Sequence, residues 1–247
     1  MDVLGLAVTL AAIVNVVYGI WDAVNDPLVG YLSDNTRTRW GRRRPWLLVG
    51  LPFYVGFLVL TYAVPAPFQQ GQGLFGYALA MVLTFETAST VMSVNYDALF
   101  PELFQGFHER SRASAIFQGF CMSGELVGFA LTPIVYTQFG FVGMAVLFAG
   151  IAGLTLLPAI AKSSEDPRVK EEPPIGVRAA FQDVLRDRPF WLFVTVVTLL
   201  TFTTSVYTLA TPFWCKYTLN AGPRAPSLVF ATVFVVAIAS VLLWNRC

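Results

Sequence analysis

A chain of 247 residues with 56% hydrophobic and only 13% charged side chains cannot cover itself with a wetted surface, because a soluble domain carries roughly 25% charge. Its mean hydropathy of +0.63 instead places it among polytopic membrane proteins. The net charge of +1 is segregated by loop, which excludes a basic face for nucleic acid.

A membrane helix needs about 20 apolar residues. Seven runs of that kind are expected, near 4–32, 45–64, 74–99, 113–137, 141–161, 189–214 and 226–244, so the fold class is all-α. The hydrophilic stretch 162–188 holds Ser163-Ser164-Glu165-Asp166-Pro167 and Glu171-Glu172-Pro173-Pro174. It reads as a linker with a surface helix near 176–187. The expected organisation is a five-helix bundle over 1–161, a loop over 162–188 and two further helices over 189–247. Fourteen of the sixteen Lys and Arg fall in alternate loops if the segment 33–44 is inside. The positive-inside rule then puts the N-terminus outside and the C-terminus in the cytoplasm.

The first helix carries Asp22, Asn25 and Asp26 at i, i+3 and i+4, on one face. Ionisable groups at bilayer depth are costly and are kept for ions, protons or substrate. Pro27 has no N–H, which frees the carbonyl of Ala23 beside the acids. Carboxylate, amide and carbonyl oxygens suit a hard cation such as Na⁺, and two close carboxylates can instead hold a proton. No Lys or Arg lies within the apolar spans, so an ion pair does not explain the acids. Tyr18, Trp21 and Tyr96 lie near them and could stack on a sugar ring.

The third helix carries Glu86, Thr90, Ser93 and Asp97 at i, i+4, i+7 and i+11, a stripe suited to a cavity. Thr90 and Ser93 could also bond their own backbone. Glu125 is a further intramembrane acid, flanked by Gly124 and Gly128 in a spacing that admits a close helix neighbour. Cys121, Cys215 and Cys247 fit neither a metal site nor a disulfide framework, and His108 sits in a charged loop. No Ser/His or metal-ligand set suggests an enzyme. A retinal protein needs a lysine in its last helix, and 226–244 has none.

The stretch Asp22-Ala23-Val24-Asn25-Asp26-Pro27-Leu28-Val29-Gly30, followed by Asp34-Asn35-Thr36-Arg37-Thr38-Arg39-Trp40-Gly41-Arg42-Arg43-Arg44-Pro45-Trp46, resembles the glycoside–pentoside–hexuronide:cation symporters. These form the melibiose-permease-like branch of the major facilitator superfamily. Asn95-Tyr96-Asp97-Ala98-Leu99-Phe100-Pro101-Glu102-Leu103, leading into Glu109-Arg110-Ser111-Arg112-Ala113, is similar to the family's next cytoplasmic loop. The resemblance implies a cation site at Asp22, Asn25, Asp26 and Thr90. It also implies a cytoplasmic gating loop built on Gly30, Asp34, Arg39, Gly41, Arg42, Arg43 and Arg44.

At the family's sugar-binding positions this chain has Ser93, Asp97 and Gln118, so the cargo is less well specified than the cation. Candidates for the solute cavity are Tyr18, Trp21, Glu86, Ser93, Tyr96, Asp97, Gln118 and Glu125. The family has twelve helices. The seven here correspond to its second through eighth, so a truncated form lacking the first helix and most of the C-terminal bundle is expected. The expected function is Na⁺- or H⁺-coupled transport of a sugar or related solute in a cell membrane of the bacterial inner-membrane type. No prosthetic cofactor or metal beyond the coupling ion is expected. The alternatives are a Na⁺-coupled carrier of a lipid or other non-sugar solute, and a non-transporting membrane scaffold.

Overall fold

A computed structural model describes residues 8–104, 106–162, 185–221 and 225–244. Its helices are α1 (Val8–Asp34), α2 (Arg44–Tyr62), α3 (Gly71–Leu103), α4 (107–139), α5 (141–162), α6 (Arg188–Phe213) and α7 (Ala225–Trp244). A 3₁₀ turn, Ala66–Phe68, leads into α3. The described residues contain helices and turns but no strand. The expected surface helix near 176–187 falls almost wholly outside them.

Among the described residues, four helical stretches are long and apolar enough to cross a membrane: Arg44–Tyr62, Gly71–Leu103, Ile134–Lys162 and Arg188–Thr218. With 27 residues α1 has the length as well, but Asp22, Asn25 and Asp26 interrupt its apolar run.

Prolines and glycines set the boundaries. Pro45 opens α2 in its first turn, where the missing N–H costs nothing. Two helices are expected to meet between 137 and 141, yet the run is continuous apart from Gly140 at φ 70°, ψ 175°. That conformation is open to glycine, so one residue does the work of a loop. The third helix also outlasts its expected end near 99, passing through Pro101 to Leu103. Beyond it, Arg110 Nε donates to Phe104 O at 2.9 Å, which satisfies one carbonyl of the chain leaving α3.

The chain divides into two compact units, one of residues 1–110 and 134–174, the other of 111–133 and 175–247. The segment 111–133, which the sequence reading assigns to the first bundle, is thus grouped with the second unit. Among the described residues it supplies no buried hydrophobic side chain. In the second unit, Tyr207 of α6 meets Phe230 of α7 edge to face at 6.3 Å. After Pro212, α6 widens into a π-turn, Trp214–Thr218, around buried Cys215.

The first unit is organised about α3. Leu47 and Leu51 of α2, Met92 and Leu99 of α3 and Ile160 of α5 form its apolar core. Gly50 faces Val91 and Met92, and Tyr54 stacks on Phe85 at 5.3 Å, so α2 and α3 run antiparallel. Arg44 meets Ala161, Val55 meets Gly153 and Tyr62 meets Phe141. These pairs make α5 antiparallel to α2 as well. On the other side of α3, Trp21 pairs with Thr87, Asp26 with Thr90 and Gly30 with Val94, in parallel register. The face α1 buries follows helical spacing through Ala11, Val14, Asn25, Val29 and Ser33.

Lipid tails give helices little hydrophobic reason to associate, so close approach of small residues matters more. The tightest such contact is Gly50, where an added Cβ would lie 2.7 Å from Val91 Cγ1. Gly50→Ala should therefore destabilise the purified chain by about 1–3 kcal/mol through overpacking. Melting in mild detergent reads the loss, and Val91→Ala in the same chain should recover most of it. A parent-like melt for Gly50→Ala alone would contradict the packing.

Candidate cation site and arginine loop

Thr90, buried on α3, donates its hydroxyl to Asp26 Oδ1 of α1 at 3.0 Å. This bond brings together two of the four residues expected to hold the cation. Asp22 lies one turn earlier on α1, half-buried. It lies close to Glu86 on α3, and Tyr18 on α1 is near both. Asn25 sits between the two aspartates and is only 2% exposed. Its Nδ2 has no hydrogen-bond partner among the described residues.

The result is a group of hard oxygens from Asp22, Asp26, Glu86 and Thr90 along one helix–helix seam. Oxygens of this kind suit a hard cation rather than a soft one. Asp26 is on the exposed side of α1 although hydrogen-bonded, so the group is open on one side.

The expected cavity residues divide. Tyr18 and Glu86 join the acid group, and Trp21 Nε1 donates to Thr87 Oγ1 at 3.0 Å. Ser93, Tyr96 and Asp97 are exposed along α3, one and two turns beyond Thr90. The Ser93 hydroxyl returns to the Thr90 carbonyl at 3.4 Å. Thr90 was open to the same local fate but reaches across to α1 instead. Gln118 and Glu125 are exposed on the segment 111–133 of the second unit.

The arginine loop closes the other end of the same three helices. Gly41 adopts φ 115°, a left-handed conformation that favours glycine. Its carbonyl accepts from Thr38 Oγ1 at 2.7 Å and its N–H donates to Thr38 O at 3.2 Å. That tight turn leads into three arginines, two of which converge on one carboxylate. Arg42 Nη2 and Arg43 Nε both reach Glu102 Oε1 at 3.0 Å. Arg43 also pairs with Asp34 at 2.9 Å, and Arg44 Nη2 donates to Ala161 O at 2.6 Å. Arg39 lies over the Trp40 ring at 5.3 Å. Gly30 packs against Val94, where a Cβ would make ordinary contact at 3.7 Å.

Glu102 is the functional residue that sequence reasoning left without a role, although it lies in the motif that carries the resemblance. An acid between Pro101 and Leu103, at the end of a helix antiparallel to the one the arginines open, is the signal that identifies it. Thr87 was missed as well, because it falls off the stripe through Glu86 and Thr90.

A family model described as MFS/sugar transport protein matches residues 1–247. The chain is 34% identical over 166 residues to an uncharacterized symporter of Synechocystis, covering 62% of this chain and 30% of that protein. It is 33% identical over 148 residues to sodium-dependent lysophosphatidylcholine symporter 1-B of Danio rerio, covering 56% and 28%. Against a glucuronide carrier protein homolog of Escherichia coli it is 24% identical over 246 residues, covering 97% and 53%. The chain thus spans about half the length or less of these curated relatives. Apolar helices of membrane length and a family match over residues 1–247 agree: the chain belongs to the MFS/sugar transport protein family and is a multi-pass membrane protein.

Proposed function

We propose that the protein is a cation-coupled secondary transporter that moves a sugar or related small solute together with Na⁺ or H⁺. The Thr90–Asp26 bond between α1 and α3 carries this reading. Asp22, Asn25, Asp26 and Thr90 hold the cation. Ser93, Tyr96 and Asp97 on α3 line the solute side. The protein acts as a carrier rather than an enzyme and needs no prosthetic group.

The mechanism follows from charge. Two carboxylates on an apolar helix resist being closed away from water. A bound cation neutralises them and lowers the cost of the occluded state. If that state also binds solute better, the solute tightens the cation by the same factor. The arginine loop lies on the cytoplasmic side in this reading, following the positive-inside distribution, and its ion pairs hold α1, α2 and α3 as one body.

The sequence similarity to a sodium-dependent lysophosphatidylcholine symporter favours a second reading for the cargo, a lysophospholipid. Binding of a glycoside and of a lysophospholipid to the same purified chain, with and without Na⁺, separates the two.

Melting in Na⁺, Li⁺ and K⁺ at matched ionic strength tests the cation site. A ligand at a hundredfold excess over Kd adds about 2.7 kcal/mol, so Na⁺ should raise the melting temperature. Asp22→Asn and Asp26→Asn should each abolish the rise. Equal melts in all three salts would remove the reading and leave a non-transporting scaffold as the better account.

The loop makes a sharper stability test. Glu102→Ala removes the carboxylate that Arg42 and Arg43 share and leaves Arg43, whose side chain is 9% exposed, with the more exposed Asp34, at a cost of about 1–3 kcal/mol. Asp34 is 54% exposed, so Asp34→Ala should cost under about 1 kcal/mol. Chemical denaturation in detergent measures both, and equal losses would contradict the assigned roles.

A further inference from the structure

Two threonines one turn apart on α3 bind α1 with opposite polarity. Thr87 Oγ1 donates to Leu83 O at 2.8 Å and accepts from Trp21 Nε1 at 3.0 Å. Thr90 Oγ1 donates to Asp26 Oδ1 at 3.0 Å. A hydroxyl has one hydrogen, and an indole N–H only donates. With its hydrogen committed to Leu83, Thr87 offers α1 lone pairs alone, and Trp21 supplies the matching donor. The turn of α1 from Trp21 to Asp26 is thereby tied to α3 at both ends. Asp22 and Asn25 lie between the ties. Trp21 has no side-chain oxygen and cannot be a ligand itself.

We propose that the Trp21–Thr87 pair is a positioning clamp that sets how far the α1 carboxylates stand from Thr90, and so which size of cation the site prefers. The inference rests on the cation-site reading given above. Ion selectivity among oxygen sites depends on cavity size, ligand number and flexibility. A seam held at both ends keeps one spacing. A seam held only at Asp26 can draw in around a smaller ion.

The test uses the full chain in detergent, titrated with Na⁺ and separately with Li⁺ in a K⁺ background at fixed pH. Trp21→Phe keeps the ring and loses the N–H, and Thr87→Val keeps the shape and loses the acceptor. Each should weaken Na⁺ binding about threefold, the worth of one hydrogen bond between membrane helices. Each should also move the ratio of the Na⁺ and Li⁺ dissociation constants toward one. Thr87→Ser should keep the parent ratio. A merely structural role would lower the melt in K⁺ and leave the ratio alone, so an unchanged ratio in Trp21→Phe and Thr87→Val overturns the clamp while the cation site stands. Should either variant fail to fold, the other against Thr87→Ser still decides. A parent chain that responds to neither ion overturns the site and the clamp together.

Discussion

A carboxylate on an apolar helix has to find a partner, and α1 has two such groups with no Lys or Arg anywhere in the apolar spans. One partner comes from α3: the Thr90 hydroxyl donates to Asp26. Much of the geometry of the first unit follows from this need. The pairing of α1 with α3 is polar along its middle, whereas that of α2 with α3 is apolar, built on Leu47, Leu51, Met92 and a close glycine. A hydrogen bond between membrane helices contributes only about 0.6 kcal/mol on average. Neither Trp21–Thr87 nor Thr90–Asp26 is therefore large enough to hold α1 in place on its own account. Their value lies in register: they select one alignment of α1 among several that packing would accept.

The arginine loop supplies what that seam lacks in strength. Glu102 at the end of α3 takes two arginines on one oxygen, and Arg43 carries the connection on to Asp34 at the end of α1. Arg44 extends it to the last turn of α5, where a cation meets the partial negative charge of the helix end. At the opposite end, the Tyr77 hydroxyl donates to the carbonyl of Leu60, with the Ala63 carbonyl as a longer alternative acceptor, joining α3 to the end of α2. The helices are thus tied at their ends by polar contacts and more weakly joined between them, where the oxygens of the proposed cation site lie. A seam of that kind can respond to the charge of a small ion without loosening the unit.

Much of this was legible in the sequence for simple reasons. Apolar runs of membrane length gave the helices, and the i, i+3, i+4 spacing put Asp22, Asn25 and Asp26 on one side of α1. Periodicity assigns a residue to a face but does not name what it meets there. Glu102 could not be matched to Arg42 and Arg43 from spacing alone, because their meeting depends on the register of α2 against α3. That register is set by how closely Gly50 approaches Val91. Trp21 read as a stacking ring, since nothing in the chain says that its N–H finds Thr87. The stretch between 137 and 141 read as a break between two helices, although one residue of positive φ, Gly140, is sufficient to separate them.

The distribution of polar groups on α3 adds a last consequence. Thr87 and Thr90 turn toward α1, while Ser93, Tyr96 and Asp97 lie exposed further along the helix. In the proposed transporter, cation and solute would therefore draw on different stretches of one helix. Substitution at Ser93 or Asp97 alters no atom of the Asp26–Thr90 bond, so the solute side can change while the cation side keeps its chemistry. The two remain coupled because a helix this rigid carries a displacement at one stretch to the other. In that reading, separation of the ligands along α3 would let the solute side vary while the cation side is kept.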